Sequence, residues 1–166
     1  MNIIITGASR GIGRAIATAF NQPGKRLILC ARNKTALEET AFELKQKNAA
    51  GVEIFSADLS KKNETLHFAR FCLGFGNAAV LVNNAGVYIG GNVMDEPEGM
   101  LEKMMDTNLY SAYHLTRALL PSMIKNGSGH IFNICSIASL QPYQDGGGYS
   151  ISKYAMNGFS QNLRHE

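Results

Sequence analysis

A tyrosine and, four places later, a lysine stand at Tyr149 and Lys153, just behind three consecutive glycines, Gly146 to Gly148, in a stretch that reads as a helix. Positions i and i+4 are neighbours on a helix, so the lysine ammonium is expected beside the phenol. A free tyrosine ionises near about pH 10 and carries protons poorly at neutral pH, but an adjacent cation favours the phenolate and makes the pair a general acid/base. The spacing alone is weak: with six tyrosines in the chain, chance Tyr-x-x-x-Lys matches number roughly 0.3 per sequence of this composition. The glycines would let the chain enter that helix beside a substrate.

A second chemistry-bearing stretch gives the pair company. "TGASRGIG", Thr6 to Gly13, follows the apolar "NIIIT" and runs into the helical "RAIATAF". A strand, a glycine turn and a helix start make an anion site, because glycine lets the backbone approach a pyrophosphate while free N–H groups and the helix dipole favour its charge. Gly7, Ser9, Arg10, Gly11, Ile12 and Gly13 are therefore expected to bind a dinucleotide. The spacing is G-x-x-x-G-x-G, and the lysine-bearing phosphate loop of kinases is absent. Dinucleotide folds that prefer NADH carry an acid about 20 residues on. No Asp or Glu lies between Asn21 and Lys34, and Arg32 stands there instead. With Arg10 it offers planar cationic forks to a 2′-phosphate, which points to NADP(H).

The elements that must position these residues follow from hydrophobic periodicity. Short apolar runs at Ile3 to Thr6, Leu27 to Cys30, Val52 to Phe55, Ala79 to Val82 and His130 to Cys135 alternate with segments of helical spacing. Strands apolar on both faces and separated by helices predict a doubly wound, Rossmann-type α/β fold with a parallel sheet. The segment from Glu98 to Asn126, with Asp106 to Asn108 in its middle, is expected to hold two helical pieces or a bend.

Taken in order, "TGASRGIG", "NNAG" (Asn83 to Gly86), Asn108, Ser136 and "YSISK" (Tyr149 to Lys153) resemble the short-chain dehydrogenase/reductase family across the whole chain. The resemblance implies a catalytic set of Asn108, Ser136, Tyr149 and Lys153. Ser136 would hydrogen-bond the substrate oxygen, Asn108 would hold a water relaying protons to Lys153, and Lys153 would also reach the nicotinamide ribose. It also implies that Asp58 and Leu59 flank the adenine and that the "NNAG" segment, with Asn84, Ala85 and Gly86, supports the central sheet and the cofactor's ribose. The expected activity is NADPH-dependent interconversion of a carbonyl compound and an alcohol, a carbonyl reductase. A catalytically idle dinucleotide-binding or sensing module is the alternative. By resemblance the protein is expected to form a homo-oligomer. Residues 1–166 are expected to be one domain, C-terminally incomplete, because the family continues through a further strand, a proline-glycine turn and a substrate lid.

Bulk properties narrow the field. Hydrophobic residues make up 45% and charged residues 17%, as in globular proteins, and the net charge of +3 is spread without a basic cluster, so no nucleic-acid partner is expected. Three cysteines without C-x-x-C and four histidines without ligand spacing indicate neither a disulfide framework nor a metal. Cys135 reads as a packing residue at a strand end. No leader or membrane-spanning run is visible, so a cytoplasmic location without membrane partners is expected. Tyr88, Ile89, Leu140, Pro142 and Tyr143 would give the substrate pocket an apolar wall.

Overall fold

Aliphatic, β-branched runs buried on both faces build the centre of the molecule. The computed structural model describes residues 1–47 and 51–166. Its strands are β1 (Asn2–Thr6), β2 (Arg26–Ala31), β3 (Gly51–Ser56), β4 (Ala78–Asn83) and β5 (His130–Asn133). They form one parallel sheet in the order β3-β2-β1-β4-β5. The doubly wound Rossmann-type fold is thus present.

Side chains alternate across each strand, and each face meets its own helices. Ile3 and Ile5 of β1, Leu27 and Leu29 of β2 and Val80 and Val82 of β4 join Ala17 of α1 (Gly11–Phe20) and Leu37 and Leu44 of α2 (Lys34–Lys47). Ile4, Ile28 and Leu81 point the other way, onto Phe68 of α3 (Lys62–Leu73) and Leu115 and Leu119 of α5 (Ser111–Lys125). Register pairs Ile4 with Ile28 on one side and with Leu81 on the other. The strand order reverses between β1 and β4, and open sheets of this kind hold ligands at the carboxyl ends of the strands beside such a switch point.

The long segment holds two helical pieces, α4 (Met100–Met105) and α5, joined by a π-helical turn at Asp106–Tyr110, and one other element departs from the sequence reading. The fifth strand stops at Asn133 instead of Cys135. Ile134 still donates its N–H to Asn83 O at 2.9 Å, but its own carbonyl accepts from Lys153 Nζ at 2.8 Å, and Ser136 then opens a 3-10 turn at Ile137–Ser139. A helix, α6 (Gly147–Asn162), carries Tyr149 and Lys153.

Candidate active site

The turn after β1 is shaped by glycine where no other residue fits. Gly7 and Gly11 adopt positive φ, 65° and 55°. A Cβ on Gly13 would collide with the Gly7 carbonyl and with Asn84 Nδ2. This close approach is itself stitched: Asn84 Nδ2 donates to Thr6 O at 2.9 Å and to Gly7 O at 3.2 Å. The N–H groups of Asn84 and Ala85 each donate to Thr6 Oγ1 at 2.9 Å. Asn84 therefore braces the glycine turn from the end of β4.

Helix α1 begins at Gly11 behind Arg10, which makes no side-chain cap, and its first turn holds no acid. Its leading N–H groups and dipole are left for an anion. A cleft of about 510 Å³ opens there. Gly7, Ser9, Arg10, Gly11 and Ile12 line it on one side, Arg32, Asp58 and Leu59 on another, and Asn84, Ala85 and Gly86 on a third. Gly13 stands behind the turn, where its hydrogen keeps the approach open. These groups suit an extended phosphate-bearing dinucleotide: a backbone cradle, two exposed guanidinium groups and an apolar slot at Leu59. Burial raises the Asp58 carboxyl, but the Ser60 hydroxyl and N–H bonded to it, with Arg32 and Lys61 nearby, outweigh this and hold it below its ordinary value.

The four residues of the expected catalytic set lie on elements that are tied together. Asn108 is fully buried within the π-turn. Its Oδ1 accepts from Val87 N at 2.7 Å, and its Nδ2 donates to Val87 O at 3.0 Å and Ser152 Oγ at 2.9 Å. Ser152 Oγ in turn donates to Tyr149 O at 2.7 Å. One side chain thus links Val87, in the cleft wall, to the helix of Tyr149. These bonds occupy the Asn108 amide.

Lys153 is buried, with its Nζ 5.9 Å from the centre of the Tyr149 ring. The hydrogen bond it makes is to Ile134 O, which fastens α6 to the end of β5. Burial pulls the ammonium below its ordinary value, partly offset by the nearby Cys135. Tyr149 is half-buried, and Tyr88 meets it edge-to-face at 4.9 Å between ring centres. Ser136 Oγ accepts from Ala138 N at 3.2 Å, so its O–H remains free to donate. Ser139 does not compete for a substrate: it is buried, and its hydroxyl accepts from Ser136 N at 3.1 Å, which fixes the turn. The packing role expected of Cys135 is overturned, since the thiol is exposed because β5 has ended two residues before it.

The family model of short chain dehydrogenases matches residues 1–166. The chain belongs to that family. It is 37% identical over 170 residues to dehydrogenase/reductase SDR family member 7B of Bos taurus, covering 99% of this chain and 52% of the relative. It spans about half the length of the curated relatives it matches, 52%, 55% and 52% for three of them. A metagenomic short-chain oxidoreductase solved in complex with NADP superposes with a TM-score of 0.92 at 36% identity, over 98% of this chain and 74% of that one. L-sorbose reductase from Gluconobacter frateurii, complexed with NADPH and L-sorbose, gives 0.93 at 32% identity, over 98% and 62%.

Within this member of the short-chain dehydrogenases, several site residues escaped the sequence reading. Asn33 lines the cleft and caps α2, accepting from Ala36 N at 3.0 Å; an asparagine just before a helical pattern was the available signal. Ser152 had only its place one turn beyond Tyr149. Glu96 accepts from Gly148 N at 2.7 Å across 52 residues of sequence, and nothing local announces it. Among the described residues no cluster of His, Cys, Asp and Glu could hold a metal, and no helix is long and apolar enough to cross a membrane.

Proposed function

We propose that the protein is an NADPH-dependent oxidoreductase that interconverts a ketone or aldehyde and an alcohol. The observation that carries this reading is the tie from the cleft wall through Asn108 and Ser152 to Tyr149, with Lys153 beneath the phenol and fastened to the end of β5. An idle binding module has no need of a buried lysine there. When bound, the reduced nicotinamide supplies a hydride to the carbonyl carbon. Gly7, Gly11 and the start of α1 would cradle the pyrophosphate, Arg10 and Arg32 the 2′-phosphate, and Asp58 and Leu59 the adenine.

The chain's own groups handle the oxygen. The Ser136 hydroxyl donates to the substrate oxygen as negative charge develops on it. Tyr149 gives that oxygen its proton, completing the alcohol, and regains one through Lys153 and a water held at Asn108. In the oxidative direction Tyr149 takes the proton instead. The NADP and NADPH complexes of similar proteins support the cofactor, and the family resemblance supports a homo-oligomer. The test is Tyr149→Phe, assayed by NADPH oxidation with a panel of ketones and aldehydes. Turnover is expected to fall at least about 100-fold, the lower range for a lost general acid, with NADPH binding nearly unchanged. A parent that binds NADPH but reduces nothing in the panel would favour the idle module.

A further inference from the structure

Two of the three glycines ahead of Tyr149, Gly147 and Gly148, have a reason that chain entry does not cover. Glu96, in the loop between β4 and α4, lies across the start of α6. Its Oε1 accepts from Gly148 N at 2.7 Å. A Cβ on Gly147 would collide with Glu96 Oε1 and Gly91 O, and one on Gly148 would come within 2.9 Å of Glu96 Oε2 and 2.8 Å of Met104 Cε. Gly147 also holds φ at 27°. Gly91 N donates to Asp145 O at 3.0 Å, so backbone joins the same two loops. Helix α6 has no acid in its first turn and no side-chain cap at Gly146, so the carboxylate facing its dipole comes from Glu96. Among the described residues no cation forms an ion pair with Glu96. The positive end of α6 is the compensating charge.

We infer that Glu96 is a positioning residue: its carboxylate fixes the first turn of α6 and thereby the placement of Tyr149, and the glycines at 147 and 148 are the space that carboxylate requires. The inference rests on the carbonyl-reductase reading for its kinetic consequence, but the contact itself does not. Displacement of a reacting group by about 1 Å can cost on the order of 100-fold in rate, so a residue that never touches substrate can govern turnover.

The experiment compares Glu96→Ala and Glu96→Gln in the intact protein. Glu96→Ala is expected to lower kcat at least about tenfold, within the range for misplacement, while the KM for NADPH stays close to that of the parent. Glu96→Gln keeps an acceptor for Gly148 N–H and should recover most of the loss. Added formate should restore kcat to Glu96→Ala in proportion to its concentration, and sodium chloride at equal ionic strength should not. A merely structural defect would not respond to a small carboxylate. An alanine variant with the parent's kcat, or one rescued by neither glutamine nor formate, overturns the inference. Amide exchange separates this outcome from failure of the activity reading. Glu96→Ala should speed exchange at Gly148 relative to later amides of α6, and formate should slow it again, whether or not the parent reduces carbonyls; unchanged exchange at Gly148 would also overturn it.

Discussion

Arg32 stands at the exposed end of β2, nineteen residues beyond Gly13, and shares the cleft with Arg10 and Asp58. A 2′-phosphate there would meet a guanidinium fork, whereas a ribose hydroxyl would find no carboxylate between Asn21 and Lys34. Reversing that one charge should therefore reverse the preference. Arg32→Asp is expected to weaken NADPH and to strengthen NADH, each by about 10- to 100-fold, the equivalent of one charge-assisted hydrogen bond lost and another gained. Titration of both cofactors against parent and variant decides it. A parent that already prefers NADH would overturn the roles given to Arg32 and Arg10. The same logic of one residue and one contact governs Gly13, whose missing Cβ is what allows Asn84 to reach the Gly7 carbonyl.

At the scale of elements, sequence was informative wherever period and composition carried the signal. Ile3 to Thr6, Leu27 to Cys30 and Ala79 to Val82 announce strands because both faces are apolar, and each falls inside the observed strand. The end of β5 was not legible, because it is decided by Lys153 taking the Ile134 carbonyl from another element. Glu96 was hidden for the same reason: its partner is remote in sequence. The expected bend near Asn108 is a π-turn, which adds a residue to the helix without ending it and so turns Asn108 inward. Asn108→Ala would leave the Val87 N–H and carbonyl and the Ser152 hydroxyl without their amide partner. Ser152 Oγ keeps its bond to Tyr149 O, so two groups are left unpaired, and at about 1–3 kcal/mol each the expected loss is about 2–6 kcal/mol. Turnover should fall as well, since the link to α6 goes with it. Urea unfolding followed by far-UV circular dichroism measures the first effect; a loss below about 0.5 kcal/mol, the scale of an ordinary surface change, would mean that these bonds do not hold the two halves together.

Over the whole molecule, three buried groups set how stability responds to alkali, and they pull in opposite directions. Cys30 is a buried residue of β2, and burial raises its thiol from 9.0 to about 12. Burial also raises Cys72, packed in the same cluster. Both remain protonated in the folded protein at pH values where the unfolded chain has lost those protons. Their contribution to stability is thus whole below about pH 9 and is lost as pH climbs toward their folded values. Lys153 behaves inversely. Its folded value lies below the ordinary 10.5, so between the two the unfolded chain binds the extra proton and stability rises with pH. One proton is worth about 1.4 kcal/mol per pH unit. Where the Lys153 window overlaps that of the thiols, below 10.5, two thiols against one ammonium leave a net fall of about 1.4 kcal/mol per unit, and above 10.5 the thiols alone give about 2.7 kcal/mol per unit. Comparing variants isolates each share from the other titrating side chains. Replacing both Cys30 and Cys72 with alanine will lower stability at neutral pH through lost packing, yet its alkaline slope should be flatter than the parent's by about 2.7 kcal/mol per unit. Lys153→Met should make the fall steeper below 10.5, because the opposing contribution is gone. Urea unfolding at half-unit steps from about pH 8 to 11 gives these slopes. Parallel curves for the parent and the double cysteine variant would refute the assignment of alkaline sensitivity to the buried thiols.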